Sequence, residues 1–477
     1  MKTPRIYNNL LIVLAVSACH NHVYADEPIV QKNNFEYKGA FRVPKAGLGD
    51  TPGQTLEYGG QAIALSAAGD SLFIVCHDKY QQVAEISIPT SKKSNDIAAL
   101  DEAKVKQQCF NIARDRSTLN QITEDGTEIE NGAKIGGLMV WNKSKDSNGN
   151  AVEVDPVLIA SAYGYYDAKF SAVKSHFSAS TDLLSGKSKL PNILEMQGSV
   201  PQAGFIGGYM APIPDNWQSS LGGEAISGMS GLNIMSRTSY GPAAFSFFPA
   251  QLNQNVNTPQ ATALLYYDSA HPTLGDVNSP GGTTYTFGSY QNGVIFPPGT
   301  GSIIFIGRQA KGDPCYGPAT NREEEKGNRV DRPPPNNTCL GEVMKDLNHT
   351  CCYDPMDLTK GVHSYPYTMH AWAYKAEDLA KVKSAADQQR PQPKPWDIKP
   401  YTEWDFDEIT YPENSATLRR GAAAYNAKTN MLYLVQTSAD IPPTYKGYPI
   451  IHVYKINIDG AQAQEKPSPV IKNISNF

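Results

Sequence analysis

The chain has 477 residues, with 47 acidic and 42 basic side chains and a formal net charge of -5. That balance argues against nonspecific nucleic-acid binding, which needs clustered Lys and Arg against phosphate. Hydrophobic residues make up 40% of the chain, enough for a substantial core, and no apolar run after the first 25 residues is long enough to span a bilayer as a helix.

The first 25 residues read as an export leader. Lys2 and Arg5 give a positive start, Leu10 to Ala18 is a short apolar core, and Val23-Tyr24-Ala25 is a small-residue cleavage site before Asp26. Without the two leader cations the formal charge falls from -5 to -7. Val16-Ser17-Ala18-Cys19 also resembles a bacterial lipoprotein box. The expected location is therefore periplasmic or extracellular, with a lipid tether at Cys19 as the alternative.

Phe35 to Val43 reads as an edge or closing strand. Ala62 to Leu65 and Leu72 to Cys76 form a hairpin around Ala68-Gly69-Asp70, and Val83 to Ile88 alternates until Pro89 stops it. The spacing of Ile97, Leu100 and Val105 predicts an amphipathic helix over 97–108. Asn142 to Asn150 is a polar turn. Ala243 to Phe248 and Leu264 to Tyr267 follow as strands, and Met369 to Tyr374 and Ile450 to Ile456 resume strand character later. A second short helix is expected over 378–388. Between the later strands, residues 311–362 are polar, proline-rich and cysteine-bearing, and read as a disulfide-pinned surface insert.

One pattern recurs five times: glycine, a short apolar stretch, a turn, then a β-rich run ending in polar or aromatic residues. Gly59-Gly60 leads to Leu72–Asp78, Gly136-Gly137 to Leu158–Tyr166, Gly222-Gly223 to Leu232–Gly241, Gly293 to Ser302–Arg308, and Gly421 to Met431–Asp440. Such units bury their apolar faces only by stacking on one another. Radial stacking predicts an all-β fold, a five-bladed β-propeller in one domain over 26–477, with six or seven blades as alternatives. A multidomain β-sandwich is the competing fold. The Phe35 strand would complete the last blade and remove the exposed edges.

Six cysteines follow Cys19: Cys76, Cys109, Cys315, Cys339, Cys351 and Cys352. An even number in an exported chain implies disulfides. Cys76 is expected to pair with Cys109, and the other four to staple the insert. Cys351 and Cys352 are adjacent and should bond outward to different partners.

A propeller gathers the ends of its strands around one axis, so the polar clusters there are the candidates for chemistry. His77, Tyr165, Arg237 and Arg308 are the candidate catalytic residues, with Asp78, Tyr163, Tyr166, His176 and Tyr240 as ligand contacts. Histidine or tyrosine could abstract a proton beside a uronate carboxylate while arginine stabilises the developing charge. Asp78, Asp167, Glu224 and Asp268 offer a second chemistry, glycoside hydrolysis by paired acids. Trp217, Trp372, Trp396 and Trp404 could stack on sugars. Strand-end carboxylates could hold a structural calcium, although no EF-hand loop is present, and there is no nucleotide-binding or haem motif.

VAEISIP (Val83–Pro89), GGYMAPIP (Gly207–Pro214), the stretch Ile234–Phe247, HAWAYKAEDL (His370–Leu379) and PWDIKPY (Pro395–Tyr401) resemble segments of exported bacterial β-propeller-like proteins of uncharacterised function. The resemblance implies export and a propeller-like fold. The inventory of His, Tyr and Arg is similar to that of propeller polysaccharide lyases. The expectation is an exported propeller that binds a carbohydrate or cell-envelope ligand at its central face, either as a lyase on uronate chains or as a noncatalytic binding protein.

Overall fold

A computed structural model describes residues 27–130, 132–145, 151–184, 192–230, 237–252, 258–328, 338–339, 342–343, 350–408, 421–441 and 447–458. The leader and Cys19 lie outside these residues. Five antiparallel sheets form the blades, and each runs from an inner strand near the axis to an outer edge. In that order, blade I is Ile63–Leu65, Ser71–Val75, Val83–Ser87 and Val105–Phe110, and blade II is Ala133–Lys145, Ala151–Gly164 and His176–Ser180. Blade III is Met210–Pro212, Ala225–Ser227, Ala244–Phe247 and Gln260–Leu265, with Gln197–Gly198 added in parallel at its edge. Blade IV is Tyr290–Ile295, Ser302–Ala310, Tyr367–Lys375 and Thr402–Asp405. Blade V is Ala423–Asn426, Met431–Asp440 and Tyr448–Ile456, completed by the N-terminal strand Phe35–Arg42. The inner strands neighbour one another from I through V and back to I, which makes the protein a five-bladed β-propeller.

Burial follows from position in the blade. Ser71–Val75 and Ser302–Ala310 are buried at every residue, because a second strand is flanked by two strands and covered on both faces by neighbouring blades. The outer strand Val105–Phe110 instead alternates between covered and open positions. Closure follows the expected route: Phe35 pairs with Ile456 and Arg42 with Ile450. The register shifts at Gly39, whose φ of 114° and contact with the Lys92 backbone exclude a side chain.

Glycine also lets neighbouring inner strands meet at the axis. A Cβ on Gly136 would lie 2.2 Å from the Gly207 carbonyl, and one on Gly293 2.6 Å from the Ala423 methyl. The third unit therefore begins at Gly207-Gly208, ahead of the inner strand Met210–Pro212, and not at Gly222-Gly223. The latter pair precedes the second strand Ala225–Ser227, and Gly222 ends the helix Asp215–Leu221 in a left-handed cap. Of the segment expected as a second strand, 232–236 lies outside the described residues and 237–241 is a loop.

The expected helix over 97–108 is a single 3-10 turn, Ile97–Ala99, followed by the outer strand of blade I. Leu100 is extended, and the alternation through Val105 and Cys109 serves a sheet edge. The second expected helix forms as Ala376–Asp387, burying Leu379, Ala380 and Val382. Disulfides join Cys76 to Cys109, Cys315 to Cys352 and Cys339 to Cys351, so the adjacent cysteines do bond outward. The insert rises between the second and third strands of blade IV, anchored by ladders of Cys315–Gly317 with Gly361–His363 and Ala319–Thr320 with Cys352–Tyr353.

Candidate functional site

Antiparallel pairing puts the start of each inner strand and the finish of its second strand at one end of the propeller, the upper end. The segments after Val75, Gly164 and Ala310 share it, as does the loop between Ser227 and Ala244. His77, Asp78, Tyr165, Tyr166, Arg237, Tyr240 and Arg308 therefore occupy one end, as the repeat implied. They divide there into two groups.

The first group spans blades I and II. Asp78 pairs with the Lys134 ammonium, whose side chain is 11% exposed, and accepts a hydrogen bond from the Gln61 amide at 2.9 Å. Lys134 also sits 4.3 Å from the centroid of the Tyr165 ring. The His77 ring lies edge-on between Tyr58 and Tyr80, and its Nδ1 accepts from the Lys79 amide at 3.1 Å. Partial burial holds the His77 imidazole below its ordinary value, against the opposing pull of Asp78 and Glu57. Gln81 bridges the blades, donating to the Asp78 carbonyl and accepting from the Ile135 amide. Two buried polar atoms at this site, Arg116 Nη1 and Gln61 Oε1, have no hydrogen-bond partner among the described residues. The result is a charge-paired hydrogen-bonding patch framed by tyrosine faces.

The second group spans blades III and IV. Arg237 donates from Nη1 to the Tyr285 hydroxyl at 2.9 Å and the Ser289 carbonyl at 3.1 Å, and from Nη2 to the Phe287 carbonyl at 2.7 Å. Arg308 donates from Nε and Nη2 to the Gly288 carbonyl at 3.0 and 2.9 Å, with its guanidinium 4.7 Å from the Tyr290 ring centroid and 4.2 Å from that of Tyr367. Both arginines are buried and hold the loop over 285–289 by its carbonyls. Tyr240 packs beside Arg237 against the core. Above Arg308, where the insert begins, the Tyr367 hydroxyl donates to Asp354, and Asp354 in turn faces the buried His363 ring at 2.7 Å.

Two expected contacts lie inside the protein. Tyr163 is buried at the seam where blade II meets Gly136 and Gly207, and it parts from Tyr165 because the strand ends at Gly164. His176 is wholly buried, its ring nitrogens 2.9 Å from Ser175 Oγ and 3.1 Å from Ser227 Oγ. Burial depresses it to about 3, so it stays neutral.

The four acids do not gather. Asp167 is buried and caps a turn through Ser171 and Ala172, and Asp268 pairs with His271. Glu224 precedes the second strand of blade III and so belongs to the lower end. Trp217, Trp372 and Trp404 are core residues. Trp396 folds over the side of blade III, stacked 4.0 Å from the His271 ring. Among the described residues no cluster of three or more His, Cys, Asp or Glu is placed to hold a metal ion.

Lys134, Tyr58, Tyr80 and Gln61 were not among the expected site residues. They precede or open inner strands, or sit in the turn after His77. Inner-strand starts share an end with second-strand finishes, and that rule would have found Lys134 and Gln61.

No protein-family model matches the chain, and no curated protein is similar to it in sequence. Among solved structures it is similar to Kuenenia stuttgartiensis hydrazine synthase, at 9% identity and a TM-score of 0.29, over 83% of this chain and 81% of that one.

Proposed function

We propose that the upper end of the propeller binds a carbohydrate or a carbohydrate-bearing cell-envelope component, at the Asp78–Lys134 patch and the tyrosines around it. One observation carries this reading. Among the described residues the exposed large aromatic side chains are Tyr58, Tyr165, Tyr166, Phe170 and Tyr316. The first four lie on upper loops of blades I and II, and Tyr316 lies in the insert that rises from the same end. A grouping of exposed aromatic rings at one end is a mark of an interaction surface, and a flat ring suits the apolar face of a sugar. Asp78, Lys134 and His77 supply acceptors and donors for hydroxyl groups. Three disulfides support an oxidising compartment, in keeping with the leader read from residues 1–25.

A carbohydrate array tests this directly. Wild type should bind a subset of glycans, and Y58A/Y165A should lose that binding with its melting curve unchanged. An array silent for wild type would end the proposal.

A second reading, β-elimination on uronate chains, rests on the Lys134 ammonium beside the Tyr165 ring. That pairing offers a cation next to a phenol able to exchange a proton. Arg237 and Arg308 are engaged with backbone carbonyls, and on this reading the uronate carboxylate would take the place of Asp78 at the Lys134 ammonium. Unsaturated product from uronate polymers, abolished by Y165F, would support it. No product across a broad panel would refute it.

A further inference from the structure

The lower end has a different chemistry. Where the inner strands finish, a cavity of about 290 Å³ opens on the propeller axis, lined from all five blades. Its walls are mostly hydrocarbon, aromatic or thioether, including Leu65, Trp141, Met210, Phe296 and Tyr425, with Ser66, Asn142 and Lys143 as the polar side chains among them. Neighbouring inner strands approach one another closely around the axis, blade II meeting blade III at Gly136–Gly207 and blade IV meeting blade V at Gly293–Ala423. The cavity is a mainly apolar funnel open at the lower end.

The chain itself indicates what this funnel faces. Glu27 is fixed at the lower end: the Trp217 indole donates to its carboxylate at 2.9 Å, and the Gly301 amide donates to the Pro28 carbonyl at 3.0 Å. The third strand of blade V also finishes at this end, so the described residues begin and end there. Upstream of Glu27 lie the apolar run Leu10–Ala18 and the Cys19 box. The eight residues from Cys19 to Glu27 extend at most ~27 Å. A tether at Cys19 would hold the funnel mouth near the bilayer surface.

We propose that the lower funnel binds one straight acyl chain, with Lys143 at the rim meeting its carboxylate or headgroup. A preformed, mostly apolar cavity with one charged side chain at its rim is the form of a slender amphiphile site. Even dry cavities of roughly 150 Å³ take up small hydrocarbons. Met210 and Met139 give the wall a side chain that adapts to an irregular guest. Lys143 pairs at the rim with the exposed Asp215 at 3.2 Å, a surface contact that a ligand anion can replace. The site lies at the opposite end from the sugar face and does not depend on it.

The test uses the chain from Asp26 onward, with palmitate as the probe. Wild type should bind one equivalent by native mass spectrometry and shift its tryptophan emission saturably. A424W, which fills the funnel, should weaken binding at least tenfold with an unchanged melting curve, and A64W serves if A424W fails to fold. K143A should weaken palmitate several-fold and leave hexadecanol unchanged. Flotation on phosphatidylethanolamine–phosphatidylglycerol vesicles, lost in A424W, would assign the chain to bilayer lipid. Saturable palmitate binding without flotation would assign it to free fatty acid. Absence of saturable binding by wild type, or undiminished binding by the filled variant, overturns the proposal.

Discussion

Acid should loosen this propeller at two defined places. His176 is sealed between blades II and III, and His452 lies across the closure of blade V, 2.9 Å from Gln436 Oε1 and 3.1 Å from the Tyr37 hydroxyl. Burial depresses both imidazoles to about 3, from an ordinary 6.5. Between those values the unfolded chain takes up a proton that the folded chain refuses, so stability falls as pH falls. At pH 5 each group costs about 2 kcal/mol relative to pH 8, or about 4 kcal/mol for the two. With an unfolding entropy of roughly 1 kcal/mol per kelvin for a chain of this size, the melting midpoint should drop about 4 °C from these two groups. Calorimetry across pH 5 to 8 on wild type and H176Q/H452Q isolates their share, because the carboxylates are common to both proteins. The double variant should be less stable at pH 8 and should lose less on acidification. Parallel curves for the two proteins would refute the assignment of these rings as neutral buried groups.

His370 should act in the opposite direction. Burial alone would lower it, but hydrogen bonding to Asp405 at 2.6 Å and to Glu403 at 3.4 Å outweighs burial and raises it. Burial would raise Asp405, yet bonds from His370, Lys311 and Thr368 hold it well below the carboxylate range. The His370 contribution is therefore complete below about 6.5 and fades as pH rises through its raised value, so H370Q should flatten that alkaline decline in melting curves. Asp405 loses its own contribution only as pH falls from about 4 toward its depressed value. Removing the Cys76–Cys109 bridge with C76A/C109A should cost about 4 kcal/mol in denaturant titration, from a loop closed over 33 residues. K134M deprives Asp78 of its ion-pair partner and should cost about 1 to 3 kcal/mol, with D78N/K134M recovering part of the loss. A chain begun after Arg42 exposes the Tyr448–Ile456 edge and should aggregate in light scattering where the chain from Asp26 onward stays monodisperse.

The fold was legible because blades announce themselves through second strands. LFIVC over 72–76 and SIIFIGR over 302–308 are covered on both faces, and continuous burial writes an apolar run that turns and glycines punctuate. Outer strands are less legible, since one open face permits the spacing of Ile97, Leu100 and Val105 to imitate a helix. Blade III misled for another reason. Its inner strand is three residues long and its second strand three, so the helix Asp215–Leu221 between them displaced the apparent glycine signal to Gly222. The convergence of the candidate residues on one end was legible from the repeat. Their grouping was not, because a guanidinium written after a strand can point to a ligand or to a neighbouring loop carbonyl. Only the carbonyls of Phe287, Gly288 and Ser289 decide the matter, and a backbone leaves no mark in sequence.

The two ends differ because the strands that build them are bounded differently. At the upper end the second strands stop in long connections: the loop after Gly164, the loop after Ser227 and the disulfide-pinned insert. Long loops carry backbone groups that need partners, and Arg237, Arg308 and Gln81 supply them, which lets tyrosine rings face outward. At the lower end the inner strands finish in apolar and proline residues such as Leu65, Pro212 and Pro298, with few donors or acceptors on the axis. A ligand rich in hydroxyl groups would leave most of its hydrogen bonds unmade in the lower funnel, whereas an acyl chain would gain nothing from the Asp78–Lys134 patch. On the two proposals made above, the polar and the apolar ligand would occupy opposite faces, and neither would compete for the other's site. Competition between the palmitate and glycan probes in a joint titration would show that this separation is wrong.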